Sequence, residues 1–370
     1  MNSTTYFAPG RVNLIGEHID YHGGLVMPMA VSMGITARHT PRTDGIIQLS
    51  SATHPLSISL SLEDIPVQYI PAHDWCCYPL GVIHHLKKNG LTIQGADIHF
   101  ESTLPEGSGL SSSAAIEVLT AYILIHQAGG DIDLPEIAKL CQQVENQYIG
   151  VQCGIMDQFA VANGKKDNAL LLNCNTLAYE YIPFELDDYK LVVMNSRKPR
   201  SLIKSAYNER KTESDEALHI LRQAGKIQAG QYLVEATVED LESIGDSLIK
   251  RRARHIVTEQ LRVRHAAAAL RMGDLHTFGR LMTASHRSMK EDYEVTGVEM
   301  DTLAETAQHI DGCLGARMTG GGFGGCAIAL VRDKHIPAFQ EIIAKRYHAT
   351  TGLHCEFYSC GAEDGVREMN

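Results

Sequence analysis

Residues 104–119 read LPEGSGLSSSAAIEVL. Gly107 and Gly109 open backbone conformations closed to other residues, and Ser111, Ser112 and Ser113 fall where a helix would begin. Unpaired amide N–H groups at such a start, together with the helix dipole, form an anion site that needs no charged side chain. The loop therefore suits a phosphate although no Gly-Lys-Ser/Thr of a Walker loop follows, and its spacing is not that of a dinucleotide fingerprint. On these residues alone it reads equally well as a capped helix after a flexible turn. MTGGGFGG, residues 318–325, is a second glycine cluster between two apolar runs, and by itself it reads as a bulged hairpin. Two glycine loops in one chain fit a nucleotide clamped between two halves of the molecule better than either fits alone.

Acidic and basic groups gather in two further segments. APGRVNLIGEHIDYHGG, residues 8–24, carries Arg11, Glu17, His18 and Asp20 in a stretch that glycine and proline mark as loop-like. CGIMDQF, residues 153–159, sets Asp157 among apolar neighbours. A carboxylate in such surroundings is costly without partners, so Asp157 is expected either to be tightly hydrogen-bonded for structure or to be poised for chemistry.

The elements that must position these groups follow from periodicity. Residues 25–62 hold alternating runs such as IIQLSS and LSISLSL broken by TPRTDG, which predicts antiparallel strands and turns. Helices are expected over 75–90, 112–127 and 134–148, with a strand at ADIHFEST leading into the first glycine loop. Short strands are expected near 169–172 and 179–183, and YKLVVMNS, 189–196, reads as a buried strand. Helical texture then continues to about residue 311, followed by a strand, glycine turn and strand, a helix near 336–347 and a last strand at LHCEFYSC. Strands and helices mix without regular βαβ alternation, so the fold class is α+β, with two domains, 1–185 and 186–370, and the site in the cleft between them. A chain of 370 residues exceeds the size at which one hydrophobic core usually stops growing, which agrees with two domains.

Composition excludes several function classes. The net charge of −11 would repel nucleic acid, and KRRAR at 250–254 reads as a short solvated helix face. The nine cysteines show no CxxC pair or zinc spacing, and no apolar run approaches the ~18 residues of a membrane span. A cytoplasmic chain, without membrane or nucleic-acid partners, is the expectation.

Taken together, GRVNLIGEHIDYHGG, GSGLSSSAA, CGIMDQF and GARMTGGGFGGCAIAL, with SAYNERKTESDEAL at 205–218, resemble in order the motifs of the galactokinase branch of the GHMP small-molecule kinases. The resemblance spans nearly the whole chain. It implies a two-domain GHMP-kinase-like α+β fold, with ATP and D-galactose as substrates, phosphoryl transfer to the sugar C1 hydroxyl, Mg²⁺ as the metal, and a monomer. By the same resemblance Asp157 is the catalytic acid-base group and Arg11 lies between the hydroxyl and the γ-phosphate. Glu17, His18, Asp20, Tyr207, Asp157 and the Gly154 backbone grip the sugar. Gly107, Ser108, Gly109, Leu110, Ser111, Ser112, Ser113 and Ala114 hold the nucleotide phosphates, and Trp75 lies near the adenine. Glu145, with Ser112 or Ser113, is the magnesium set. Two positions depart from the family pattern, Ile19 where threonine is common and Gly321 where alanine is usual, and the signature starts at residue 8, leaving little of the usual leading segment. A kinase for a related sugar such as N-acetylgalactosamine, and a non-catalytic galactose sensor, remain as alternatives; the complete GLSSSAA loop and the presence of Asp157 favour the enzyme.

Overall fold

The computed structural model describes residues 3–198 and 203–369. The segment around Arg11 is not all loop: Ala8–Asn13 complete β1 (Thr4–Asn13), and the strand absorbs Pro9 and Gly10 through a register shift against its neighbour. Glycine and proline there mark a bulge in the strand, at the point where its register against β3 shifts and beyond the reach of β13 on the other edge.

Next come β2 (Leu25–Val26), β3 (Pro28–Arg42), β4 (Ile46–Ser51), β5 (Ile58–Ser61), α1 (Cys77–Lys88) and β6 (Gly95–Ser102). The helix expected over 112–127 is α2 (Ser112–Gln127). It packs against β1 and β3 and against α1, α3 (Leu134–Gln143) and α4 (Met156–Asn163), so Ala114 to Ala121 are all buried, as an apolar helix requires. The helix expected to run to Tyr148 changes character earlier. Beyond α3 the chain forms a π-helical turn, Val144–Ile149, closed by Gly150 at φ 82°, whose N–H donates to the Glu145 carbonyl at 2.7 Å. The wider turn holds Glu145, and such insertions are common where a helix carries function.

The chain continues through β7 (Asn168–Asn173), β8 (Tyr179–Pro183), β9 (Tyr189–Asn195), α5 (Ile203–Gln223), α6 (Ser247–Arg271), α7 (Leu275–Ser288), α8 (Gly297–Gln308), β10 (Cys313–Thr319), β11 (Cys326–Arg332), α9 (Ile336–Thr351), β12 (Glu356–Cys360) and β13 (Arg367–Met369). The strands form three sheets, in the orders β13-β1-β3-β6-β4-β5, β10-β11-β9-β12 and β2-β7-β8. Antiparallel pairing dominates, with β4 and β6 parallel. Along β11 the residues Cys326–Val331 are all buried, which explains an apolar run without alternation.

The second sheet opens with β9, shortly after residue 185, and β13 returns across that point to pair with Thr5–Phe7 of β1. A division into 1–185 and 186–370 is therefore a proposal that one strand crosses. β13 carries no periodicity that would have announced it, since three residues are too few.

KRRAR is a solvated face only in part: Arg254 is exposed and Arg251 half-buried, but Arg252 is not. Arg252 is 1% exposed, and its guanidinium donates to Glu213 Oε2, the Asp292 carbonyl and Glu294 Oε2, each at 2.7 Å. One arginine of this basic run turns inward because α5 and the turn after α7 bring acceptors to it.

Candidate active site

A cavity of about 410 Å³ is walled by the end of β1 and the loop after it, the 104–113 loop, the π-helical turn, the segment entering α4, Tyr207 of α5 and the β10–β11 turn. Segments far apart in sequence thus converge, and Arg11 and Asp157 meet at the centre. Arg11 donates from Nε to Asp157 Oδ1 at 2.8 Å and from Nη2 to Oδ2 at 2.6 Å, and from Nη1 to the Gly109 carbonyl at 2.7 Å. Ser111 adds a third donor to the carboxylate, with Oγ 2.6 Å from Oδ2.

Counting groups shows what remains for a substrate. A carboxylate offers about four acceptor positions, of which three are filled, and the open one lies on Oδ1. Guanidinium has five N–H groups, of which three are used, leaving two on the Nη atoms. One acceptor and two donors therefore stand side by side, suited to a hydroxyl and an anionic oxygen. Arg11 is 4% exposed and Asp157 31%, so the carboxylate is the more accessible partner.

The remaining acidic and aromatic groups surround this pair. Glu17 accepts from the Gly320 N–H at 2.7 Å and lies 3.6 Å from Arg317 Nη2, which ties the segment after β1 to the β10–β11 turn. Burial pushes the Glu17 carboxyl above its ordinary pKa, against the opposing pull of Arg317 and Arg11. His18, at φ 60°, uses both ring nitrogens: one faces Tyr21 Oη at 2.9 Å and the other the Gly321 carbonyl at 3.2 Å. Burial lowers its pKa to about 3, so the ring is neutral, and its faces rather than its nitrogens are what it offers a ligand. Burial and the nearby Asp157 charge raise Asp20 to about 7. A side chain at 154 would place its Cβ 2.1 Å from Asp20 Oδ2, so only glycine lets Asp20 sit there. Tyr207 lies 5.2 Å from His18 between ring centroids, and burial, then Asp20, keeps its phenol protonated well above its ordinary pKa.

On the other side of the Arg11–Asp157 pair lies the glycine loop. Gly107 and Gly109 take φ values of 67° and 73°, as a turn built on glycine demands. Gly107, Gly109, Ser111, Ser112 and Ser113 line the cavity; Ser108, Leu110 and Ala114 are buried away from it. Leu110 acts through its carbonyl, which accepts the Arg11 N–H at 3.1 Å. Ser111 takes a left-handed φ of 63°, and its hydroxyl goes to Asp157 instead of capping α2. Ser112 and Ser113 also border a second cavity of about 130 Å³, whose walls include Trp75, Phe100, Ile35 and Ile116. Trp75 is 8% exposed, stands edge-on to Phe100 at 5.7 Å, and donates its indole N–H to the Leu56 carbonyl at 3.3 Å. An apolar slot joined through two serines to a polar cavity matches the shape of a base followed by phosphates.

Glu145 is buried, not a helix-surface residue, and it lines the larger cavity with Ser112 and Ser113. These are hard oxygen donors of the kind Mg²⁺ accepts. Among the described residues, four carboxyl groups, Glu17, Asp20, Glu145 and Asp157, face that cavity against one guanidinium, that of Arg11. A polyphosphate would meet this acidic wall unless a cation accompanied it, so the residues fit a divalent metal.

Sequence reasoning missed Ser111 as a partner of Asp157, and missed Tyr78, Gln158 and Glu117. Tyr78 lines both cavities, and Gln158 lines the larger one with Oε1 unpartnered. Nothing in the sequence separates these from core residues. A second cluster, His286, Asp301 and Glu305, lies outside the cavity. There the Met318 N–H donates to His286 Nδ1 at 3.3 Å, which leaves the proton on Nε2 facing Asp301, and Lys290 supplies the cation. It is an ion-pair cluster, and its histidine has no lone pair to give a metal.

Known proteins resemble this chain along nearly its whole length. Family models described as the galactokinase galactose-binding signature, the GHMP kinases N terminal domain and the GHMP kinases C terminal match residues 2–40, 78–165 and 266–349. A galactokinase of Halalkalibacterium halodurans is 48% identical, over 98% of this chain and 92% of that protein. The chain belongs to the galactokinase family of GHMP kinases. A galactokinase of Enterococcus faecalis is 46% identical over 98% of this chain and 95% of its own length. The crystal structure of Lactococcus lactis galactokinase complexed with galactose superposes with a TM-score of 0.95 at 42% identity, covering 100% of this chain and 95% of that one. A mevalonate kinase structure, 21% identical with a TM-score of 0.64 and covering 98% of this chain and 100% of its own, shares the fold. Of the two departures from the family pattern, Ile19 is fully buried in the core, where an apolar side chain is at home.

Proposed function

We propose that this galactokinase-family enzyme, which phosphorylates D-galactose with ATP, carries out the transfer in the 410 Å³ cavity, onto the C1 hydroxyl. The observation that carries the reading is the Arg11–Asp157 fork, with one acceptor position open on the carboxylate and two N–H groups open on the guanidinium. In this reading Asp157 accepts the hydrogen bond of the attacking hydroxyl and orients it, and takes up its proton as the bond to phosphorus forms. Arg11 neutralises the charge shared by the carboxylate and the transferring group, with a planar geometry that a point charge lacks. Asp20, Glu17, Tyr207, the Gly154 backbone and the His18 ring shape the sugar side, where a hydroxyl of the wrong configuration leaves a buried partner unpaired. The glycine loop and the start of α2 hold the phosphates, and the slot beside Trp75 takes the base.

Glu145 with Ser112 or Ser113 would hold Mg²⁺, which when bound neutralises phosphate charge. A cytoplasmic monomer belongs to the same proposal. Among the described residues no disulfide joins any cysteine, which supports a reducing compartment, and no helix is long and apolar enough to cross a membrane.

The test is ADP formation by the purified protein with galactose, N-acetylgalactosamine, glucose and arabinose, each with and without Mg²⁺. Magnesium-dependent turnover with galactose far above the other sugars is expected. Equal turnover of glucose, or preference for the N-acetylated sugar, would overturn the assignment of the sugar side.

A further inference from the structure

Glu117 is fully buried on α2, and neither of its carboxyl oxygens has a hydrogen-bond partner among the described residues. Such a group opposes folding, and an aliphatic side chain would fill the position without that penalty. Its location is specific. It follows Ser113 by four positions, which puts the two on one face of α2, and helical side chains lean toward the N-terminus, so the carboxyl reaches back toward Ser113. Burial and the charge of Glu145 both push its pKa well above the ordinary range, and the two carboxyls together act on Tyr78 and Cys141. Ser113, Glu145 and Tyr78 line the cavity, whereas Glu117 stands one layer behind that wall.

Among the described residues no donor reaches Glu117, so a donor to it must come from what the site binds. Mg²⁺ keeps several of its waters when protein groups bind it, and those waters need acceptors. We propose that Glu117 is a positioning residue for the divalent cation held by Ser113 and Glu145, its carboxyl accepting hydrogen bonds from water that the cation retains. This rests on the cation reading given above. Partners in the layer behind metal ligands typically change metal affinity by about 10- to 100-fold.

Mn²⁺ serves as the probe. Free Mn²⁺ is followed by electron paramagnetic resonance while the protein is titrated in the presence of a non-hydrolysable ATP analogue, and galactose affinity and melting temperature are measured on the same preparations. Glu117→Gln and Glu117→Met are expected to weaken Mn²⁺ binding by about 10-fold or more, with galactose affinity unchanged. Glu117→Met should melt at or above the wild-type temperature, because it removes an unpartnered buried carboxyl. Mn²⁺ affinity within twofold of wild type in Glu117→Gln, whether or not the methionine variant folds, would overturn the inference. Glu145→Gln measured alongside separates the two claims: if it too keeps Mn²⁺ affinity, the cation reading itself fails; if it loses the cation while Glu117→Gln does not, only the role of Glu117 fails.

Discussion

At the residue scale the decisive contact is the fork between Arg11 and Asp157, two residues 146 positions apart. Asp157→Asn keeps one carbonyl acceptor for Arg11 but removes the charge, so kcat should fall by roughly 10²-fold or more, the scale of general base catalysis, while galactose affinity changes far less. Wild-type kcat at saturating substrates would remove Asp157 from the mechanism. Arg11→Lys should lose turnover as well, since one ammonium cannot span both carboxylate oxygens and also reach the Gly109 carbonyl. Gly321 offers a finer test. A Cβ there would lie 3.2 Å from Tyr207 Cδ2, tighter than ordinary contact, so Gly321→Ala should shift the Tyr207 ring by a few tenths of an ångström. Raised KM for galactose with kcat little changed is the expected split; an unchanged KM would mean that Tyr207 does not set the fit of the sugar. Asp157 was conspicuous in the sequence because a lone carboxylate sat among apolar residues. Its pairing with Arg11 was not, because a contact across 146 residues leaves no local mark.

At the scale of elements, α2 does two jobs. Its first turn borders both cavities and its body is core, with Ala114 to Ala121 buried. Deleting Ser112 and Ser113 would rotate the rest of the helix by about 200° and expose that core, so point substitution is the cleaner probe. Ser113→Ala should weaken binding of the magnesium–nucleotide complex by about 10-fold or more with galactose affinity intact, as calorimetry can read. Unchanged nucleotide affinity would make the serine a structural residue of the turn. The start and end of α2 were legible in the sequence because a glycine turn, three serines and a largely apolar run all agree. The π-helical turn carrying Glu145 was not, since its extra residue per turn is stabilised by packing against α1 and carries no sequence signal.

At the scale of the whole molecule, the fold stores buried histidines that acid should attack. Burial, then Lys211, lowers His22 to about 3, and its Nε2 donates to Ser214 Oγ at 2.7 Å. A depressed folded-state pKa contributes stability that is complete above the unfolded value near 6.5 and is lost as pH falls toward 3. His22→Gln should therefore cost most at pH 7, and its cost should shrink by roughly 1.4 kcal/mol per pH unit below 6.5 in urea unfolding; parallel profiles for the two proteins would contradict this. The sequence by itself determined the α+β class, the order of most strands and helices, the family resemblance and the segments that carry chemistry, because apolar periodicity, glycine turns and motif spacing are local properties. Tertiary structure alone decided that residues 8–13 are strand, that β13 returns to the first sheet, that Arg252 of a basic run is buried, and that His18 is held by both ring nitrogens. It also decided that Ser111 serves Asp157 and that Glu117 lies buried without a partner. Each of these depends on which distant segment covers a side chain, and burial and pairing are properties of the packed whole.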